Sequence, residues 1–178
     1  MRWRRERGRE VRRSVWLVVF LGLAAALFSH PRPIGLWRLR LVAGRLLARL
    51  PERAPTHVRV LPPPPDEYVG TIQASPATVR RRHLPRAGFD ELVRAYFHAY
   101  ERDDETVHEV GSFVRRPDGF FGDGQLHVRL FPTSDGTTEV WAHWERNPYV
   151  APLAHLRMEG YDPAEGERRV RRLLDDLD

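Results

Sequence analysis

Six residues of this chain are placed to do chemistry: His127, Arg129, Trp141, His143, Arg146 and His155. Five of them lie in two runs, QLHVRLF (125–131) and EVWAHWERN (139–147), that alternate in polarity as half-buried strands do. Thr133–Thr137 between them is a turn-forming stretch. Pairing the runs as an antiparallel hairpin sets residue 127 opposite 143, 129 opposite 141 and 125 opposite 145. One face then collects Leu126, Val128, Leu130, Val140, Ala142 and Trp144, which is a core face. The other collects Gln125, His127, Arg129, Trp141, His143 and Glu145, with two imidazoles in reach of each other. His155, in the loop after Pro152, can come back over that face.

Three uses compete for this face. Neutral imidazoles plus a carboxylate can hold zinc, and three such ligands leave a fourth position for water. A small His- or metal-dependent hydrolase would then use His127, His143 and His155, although no HExxH motif is present. Alternatively, Arg129 and Arg146 with the two histidines can grip an anionic ligand through charge-assisted hydrogen bonds. The third use, which the sequence favours, is a solvated or lipid-facing polar surface on which Trp141 packs against Arg129. No residue is assigned a catalytic role and no cofactor is expected. A P-loop, GxGxxG, GxSxG and glycosylation triplet are all missing from the sequence, Asn147 being followed by Pro148.

The elements that must carry this face read as follows. Tyr68–Ala74 is a strand, and Ser75-Pro76 opens a helix that should end near Leu84 because Pro85 blocks it. Gly88 then lets the chain reverse. Residues 90–101 read as a short helical turn followed by a strand. Thr106–Arg115, Gln125–Phe131 and Thr138–Glu145 are three further strands. In the last helix Asp162 is the cap, Pro163 takes the first position and Glu165 completes a capping box. Val170, Leu173, Leu174 and Leu177 form its apolar stripe, and Glu165–Arg169 and Glu167–Arg171 are i,i+4 pairs. The order β-α-β-β-β-β-α predicts an α+β fold, a small, mainly antiparallel sheet with helices on one face.

Charge divides the chain. Residues 1–65 carry 14 Arg against three acids, whereas residues 66–178 carry 15 Arg against 21 acids. Nucleic acid is therefore not an expected partner, because the basic surplus lies outside the folded tail. There is no cysteine, which excludes disulfides, thiolate metal sites and thiol catalysis. Every basic residue is Arg, which reads as a bias of the source genome.

Residues 14–31 carry no charge, and 15–28 read VWLVVFLGLAAALF. The nine Leu, Val and Phe of that run contribute about −3 to −5 kcal/mol to insertion. This predicts a single-pass transmembrane anchor; the rival reading is a cleaved signal peptide ending in the small residues Ala24 and Ala26. Seven Arg precede the run and four follow it closely, so the acidic tail should be extracytoplasmic. Residues 34–50 carry too many Arg for a second span. They fit an amphipathic helix lying at the membrane interface, with Arg38, Arg45 and Arg49 on one face, Leu39, Leu46, Leu47 and Leu50 towards the other, and Arg40 as a misfit. An ordinary helix packed on the tail is the alternative. Pro62–Pro65 then make a polyproline spacer. The domains expected are thus 1–31 (basic head and anchor), 32–65 (juxtamembrane helix and spacer) and 66–178 (globular α+β body).

At 125–131, 139–147 and HLRMEGYDPAEGERRVRRLL (155–174) the chain resembles uncharacterised membrane-anchored proteins of halophilic archaea. More distantly, the same blocks are similar to the C-terminal domain of LssY-type bacterial membrane proteins: a His-Val-Arg strand, a Trp strand, and a His before an Asp-led helix. The resemblance implies membrane association and transfers no activity. The expected role is a binding or structural module at the cell envelope, with the lipid bilayer and an envelope protein or anionic ligand as partners.

Overall fold

The computed structural model describes residues 36–51, 53–54, 59–92 and 95–175. All belong to one compact unit, Gly35–Asp178. The anchor expected over 15–28 lies outside the described residues. Among the described ones, no helix is long and apolar enough to cross a membrane.

Helix α1 (Leu36–Leu47) is followed by eight strands: β1 (Val60–Leu61), β2 (Tyr68–Ile72), β3 (Asp90–Glu91), β4 (Phe97–Arg102), β5 (Glu105–His108), β6 (Gly111–Arg115), β7 (Gly124–Pro132) and β8 (Thr138–Arg146). Helix α2 (76–86) lies between β2 and β3; α3 (Pro152–Leu156) and α4 (Pro163–Asp175) follow β8. The larger sheet has the order β2-β8-β7-β6-β3 and is antiparallel throughout. The smaller has the order β1-β4-β5, with β1 parallel to β4. The fold is α+β with a mainly antiparallel sheet, as the pattern predicts, but with a second sheet that it does not.

The β7–β8 register matches the expectation from alternation: Gln125↔Glu145, His127↔His143 and Arg129↔Trp141. Leu126, Val128, Leu130, Val140 and Ala142 form the core with Val69, Val79, Leu84, Phe89, Phe113 and Val170, and Trp144 packs at its edge. Helices α2 and α4 cover this face. At Gly166, α4 approaches β8 so closely that a Cβ would lie 2.3 Å from the Cα of His143, so only glycine fits there.

Several elements depart from expectation. The strand read as 106–115 is two, β5 in the small sheet and β6 in the large one, and buried Glu109 sits where the chain changes sheets. The helical turn expected near residue 90 is the edge strand β3, paired with β6. Asp103 and Asp104, both at positive φ, form the two-residue turn of the β4–β5 hairpin, a conformation Asp tolerates better than most residues. Helix α2 continues past Pro85 to Arg86. A π-turn at Val79–His83 precedes the proline, with Leu84 N–H donating to Val79 O, so the i→i−4 ladder that proline would interrupt is already out of register. Gly88 reverses the chain at φ +78°, as anticipated.

The compact body also begins earlier than residue 66. Arg40, the misfit of α1, points inward. Its Nε donates to Glu109 Oε1 at 3.1 Å, and its Nη atoms donate to the carbonyls of Ala95 (2.9 Å) and Tyr96 (2.6 Å). Of the two settings weighed for this helix, packing on the body is thus established by a buried ion pair. Nor is 62–65 a free spacer: Pro63 is buried, and Pro65–Glu67 is a 3₁₀ turn.

Candidate functional site

The second face of the large sheet is polar and buried. Every residue from Gly124 to Phe131 is buried, including Gln125, His127 and Arg129. The expected solvated or lipid-facing surface is therefore absent. Sequence alternation reports polarity, and a polar face can be satisfied by protein groups as well as by water. Here the cover comes from the 3₁₀ turn, from Tyr161 and from the small sheet, whose Tyr100 ring packs edge-on against Phe131 at 5.3 Å.

Glu67 is the hub. The 3₁₀ turn, started by Pro65, delivers its side chain to 1% exposure. Its Oε1 accepts from Tyr161 Oη at 2.7 Å and lies 2.9 Å from His143 Nδ1; its Oε2 is paired with Arg129. His143 reaches Glu145 through its other nitrogen, Nε2 to Oε2 at 3.1 Å. One imidazole thus bridges two carboxylates. Glu145 Oε1 also accepts from Gln125 Nε2 at 2.6 Å, and His127 Nε2 shares a 2.8 Å hydrogen bond with Ser112 Oγ.

The electrostatics follow from these contacts. Burial pushes Glu67 up, but the hydrogen bond from His143 and the Arg129 charge outweigh it and hold the carboxyl at about 2. Burial likewise opposes charge on His143, yet its bonds to Glu145 and Glu67 raise it above the ordinary imidazole value. Glu145, pushed up by burial, is held low by His143. Burial first, and then the charges of Arg129 and His143, drive His127 well below its usual value and keep it neutral. Two carboxylates, one guanidinium and one imidazolium therefore balance within the interior, the condition under which buried charge is tolerated.

The structure brings together His127, Arg129 and His143. Trp141 lies on the same face, half-buried, and packs against Tyr68, Tyr100 and Phe131 (5.3, 5.9 and 5.8 Å between ring centres) rather than on Arg129. Arg146 is exposed. His155 sits at the solvent edge; its Nδ1 donates to Arg146 O at 3.0 Å and lies 3.4 Å from Glu145 Oε2. The anion grip expected of Arg129 and Arg146 is not formed, because Glu67 already occupies Arg129. Sequence reasoning missed Glu67, Ser112 and Tyr161. Ser112 alone had a legible signal, its place on a strand next to β7; Glu67 and Tyr161 come from irregular segments.

A metal could be held by His127, His143 and Glu145, whose ligand atoms all lie within 4.8 Å of one another. Two surface clefts, of about 410 and 290 Å³, are lined by other residues. Compared with family models, curated proteins and solved structures, the chain matches none.

Proposed function

We propose that this chain is a single-pass membrane protein whose body is a non-catalytic binding or structural module held against the extracytoplasmic face of the membrane. The observation that carries this reading is the direction of α1. Among its described side-chain positions Arg40 and Gly44 are buried, while Leu39, Val42 and Leu46 are 64%, 54% and 57% exposed. An apolar stripe facing outward on a helix pinned by an inward arginine inverts the usual arrangement of a surface helix. Arg38, Arg45 and Arg49 are also exposed, as suits contact with anionic head groups. The helix begins eight residues after the apolar run 15–28, so an anchored chain brings it to the interface.

The interior cluster supports the non-catalytic half of the reading. Its charges are spent on one another, and His127 and His143 are 4% and 3% exposed, which weighs against a hydrolase using His127, His143 and His155.

The absence of native cysteine makes a direct test simple. In the full chain reconstituted into vesicles, a polarity-sensitive dye on Val42→Cys should shift to the blue and be quenched by brominated lipid. The same dye on Thr71→Cys, an exposed position of β2, should report water. Equal, unquenched emission from both sites, or a chain that remains in the supernatant of sedimented native membranes, would reject the proposal.

A further inference from the structure

We propose that His127, His143 and Glu145 bind one divalent transition metal ion, of the zinc class, inside the body. The case rests on how each of the three is held. A metal-binding side chain needs one donor atom directed at the ion and its other polar atom fixed by an outer partner. His143 meets this through Nδ1, 2.9 Å from the Glu67 carboxylate. His127 meets it through Nε2, 2.8 Å from Ser112 Oγ. Glu145 meets it through Oε1, which accepts from Gln125 Nε2 at 2.6 Å. Three different outer residues thus orient three ligands, and each leaves one donor atom over: Nε2 of His143, Nδ1 of His127 and Oε2 of Glu145.

One donor atom from each of the three lies within 4.8 Å of the others. His143 Nε2 is 3.1 Å from Glu145 Oε2, and His127 Nδ1 is 3.9 Å from the same carboxylate's Oε1, too far for a hydrogen bond. Metal–nitrogen and metal–oxygen bonds of about 2.0–2.2 Å at tetrahedral angles put neighbouring ligand atoms about 3.3 Å apart. Donor atoms within 4.8 Å of one another would reach that spacing by side-chain rotations that close at most about 1.5 Å. The imidazole and carboxylate donors suit zinc and its neighbours and disfavour calcium or magnesium. On binding, the ion would come between His143 Nε2 and Glu145 Oε2. His155, at the solvent edge 3.4 Å from Glu145 Oε2, marks the open side, where water completes the coordination.

Such an ion would sit between β7 and β8 and reinforce the module without giving it an activity. The inference is independent of membrane attachment, which the dye experiment reads separately. The test uses the full chain, purified with detergent and stripped by chelator, titrated with Co²⁺ or Zn²⁺ alone. One equivalent per chain is expected at micromolar metal, with the strong visible absorption of four-coordinate Co²⁺. His127→Gln and Glu145→Gln should lose that absorption, Ser112→Ala should weaken binding about 10-fold, and His155→Ala should retain it. Substoichiometric binding, the faint spectrum of six-coordinate Co²⁺, or ligand variants that bind as tightly as the parent would overturn the proposal. Should the ligand variants fail to fold, the parent spectrum and Ser112→Ala decide it alone.

Discussion

The two faces of the β7–β8 hairpin are built from alternate residues of the same strands, and both are buried, yet they are held by different means. One is aliphatic and needs only volume: Leu126, Val128, Leu130, Val140 and Ala142 beneath α2 and α4. The other carries Glu67, Arg129, His143 and Glu145, and each of these charges is tolerated only while its partner stays. An apolar face therefore degrades by degrees when side chains are trimmed, whereas a polar interior fails as a set. That difference can be broken or sharpened experimentally.

The largest effect should come from neighbours in sequence that point to opposite faces. Arg129→Met removes the guanidinium paired with Glu67 Oε2, leaves that buried oxygen without its charge partner, and should cost about 3–5 kcal/mol. Leu130→Ala, on the apolar face, should cost about 2–5 kcal/mol, scaled by the cavity left behind. Urea unfolding of the two variants compares the faces directly.

A pH scan probes the small sheet that covers the polar face, where His98 of β4 is buried. Burial, and then the charge of Arg129, hold His98 down at about 3, and its Nδ1 donates to Leu61 O at 3.1 Å. A base whose folded value lies below its unfolded one contributes stability that is complete above about pH 6.5 and lost as the pH falls towards 3. The slope there should approach about 1.4 kcal/mol per pH unit for this one group, and His98→Asn should flatten it. Charge-free trimming such as Leu130→Ala should shift the whole curve without changing its slope.

The smallest effect belongs to the end of α4. Asp162 Oδ1 accepts from Glu165 N at 2.8 Å, so Asp162→Ala should cost about 1 kcal/mol in the same urea assay. The reciprocal half of the expected capping box is not formed. The Asp162 N–H donates to Trp144 O at 2.9 Å, and Glu165 pairs instead with Arg168 and Arg169.

What could be read from the sequence, and what could not, follows the same division. The β7–β8 register, the aliphatic face and α4 were legible because each is a periodic pattern bounded by turn or cap residues. The polar face was legible as a set of residues but not as an interior. Its cover arrives from Glu67 in a proline-rich stretch and Tyr161 in a loop, which no period marks. Arg40 stood out on the helical wheel as a misfit, yet its partner Glu109 lies in what read as the middle of one strand. Chain polarity alone could not show that this strand changes sheets there, nor that Asp103-Asp104 is a hairpin turn.

The claim that the polar face holds by mutual compensation is tested most directly by a double-mutant cycle on Glu67 and Arg129. Glu67→Leu and Arg129→Met should each be strongly destabilising, and the combined variant should recover at least about 2 kcal/mol relative to the sum of the two. Additivity within about 0.5 kcal/mol would show that the two charges do not depend on each other, and would contradict the account.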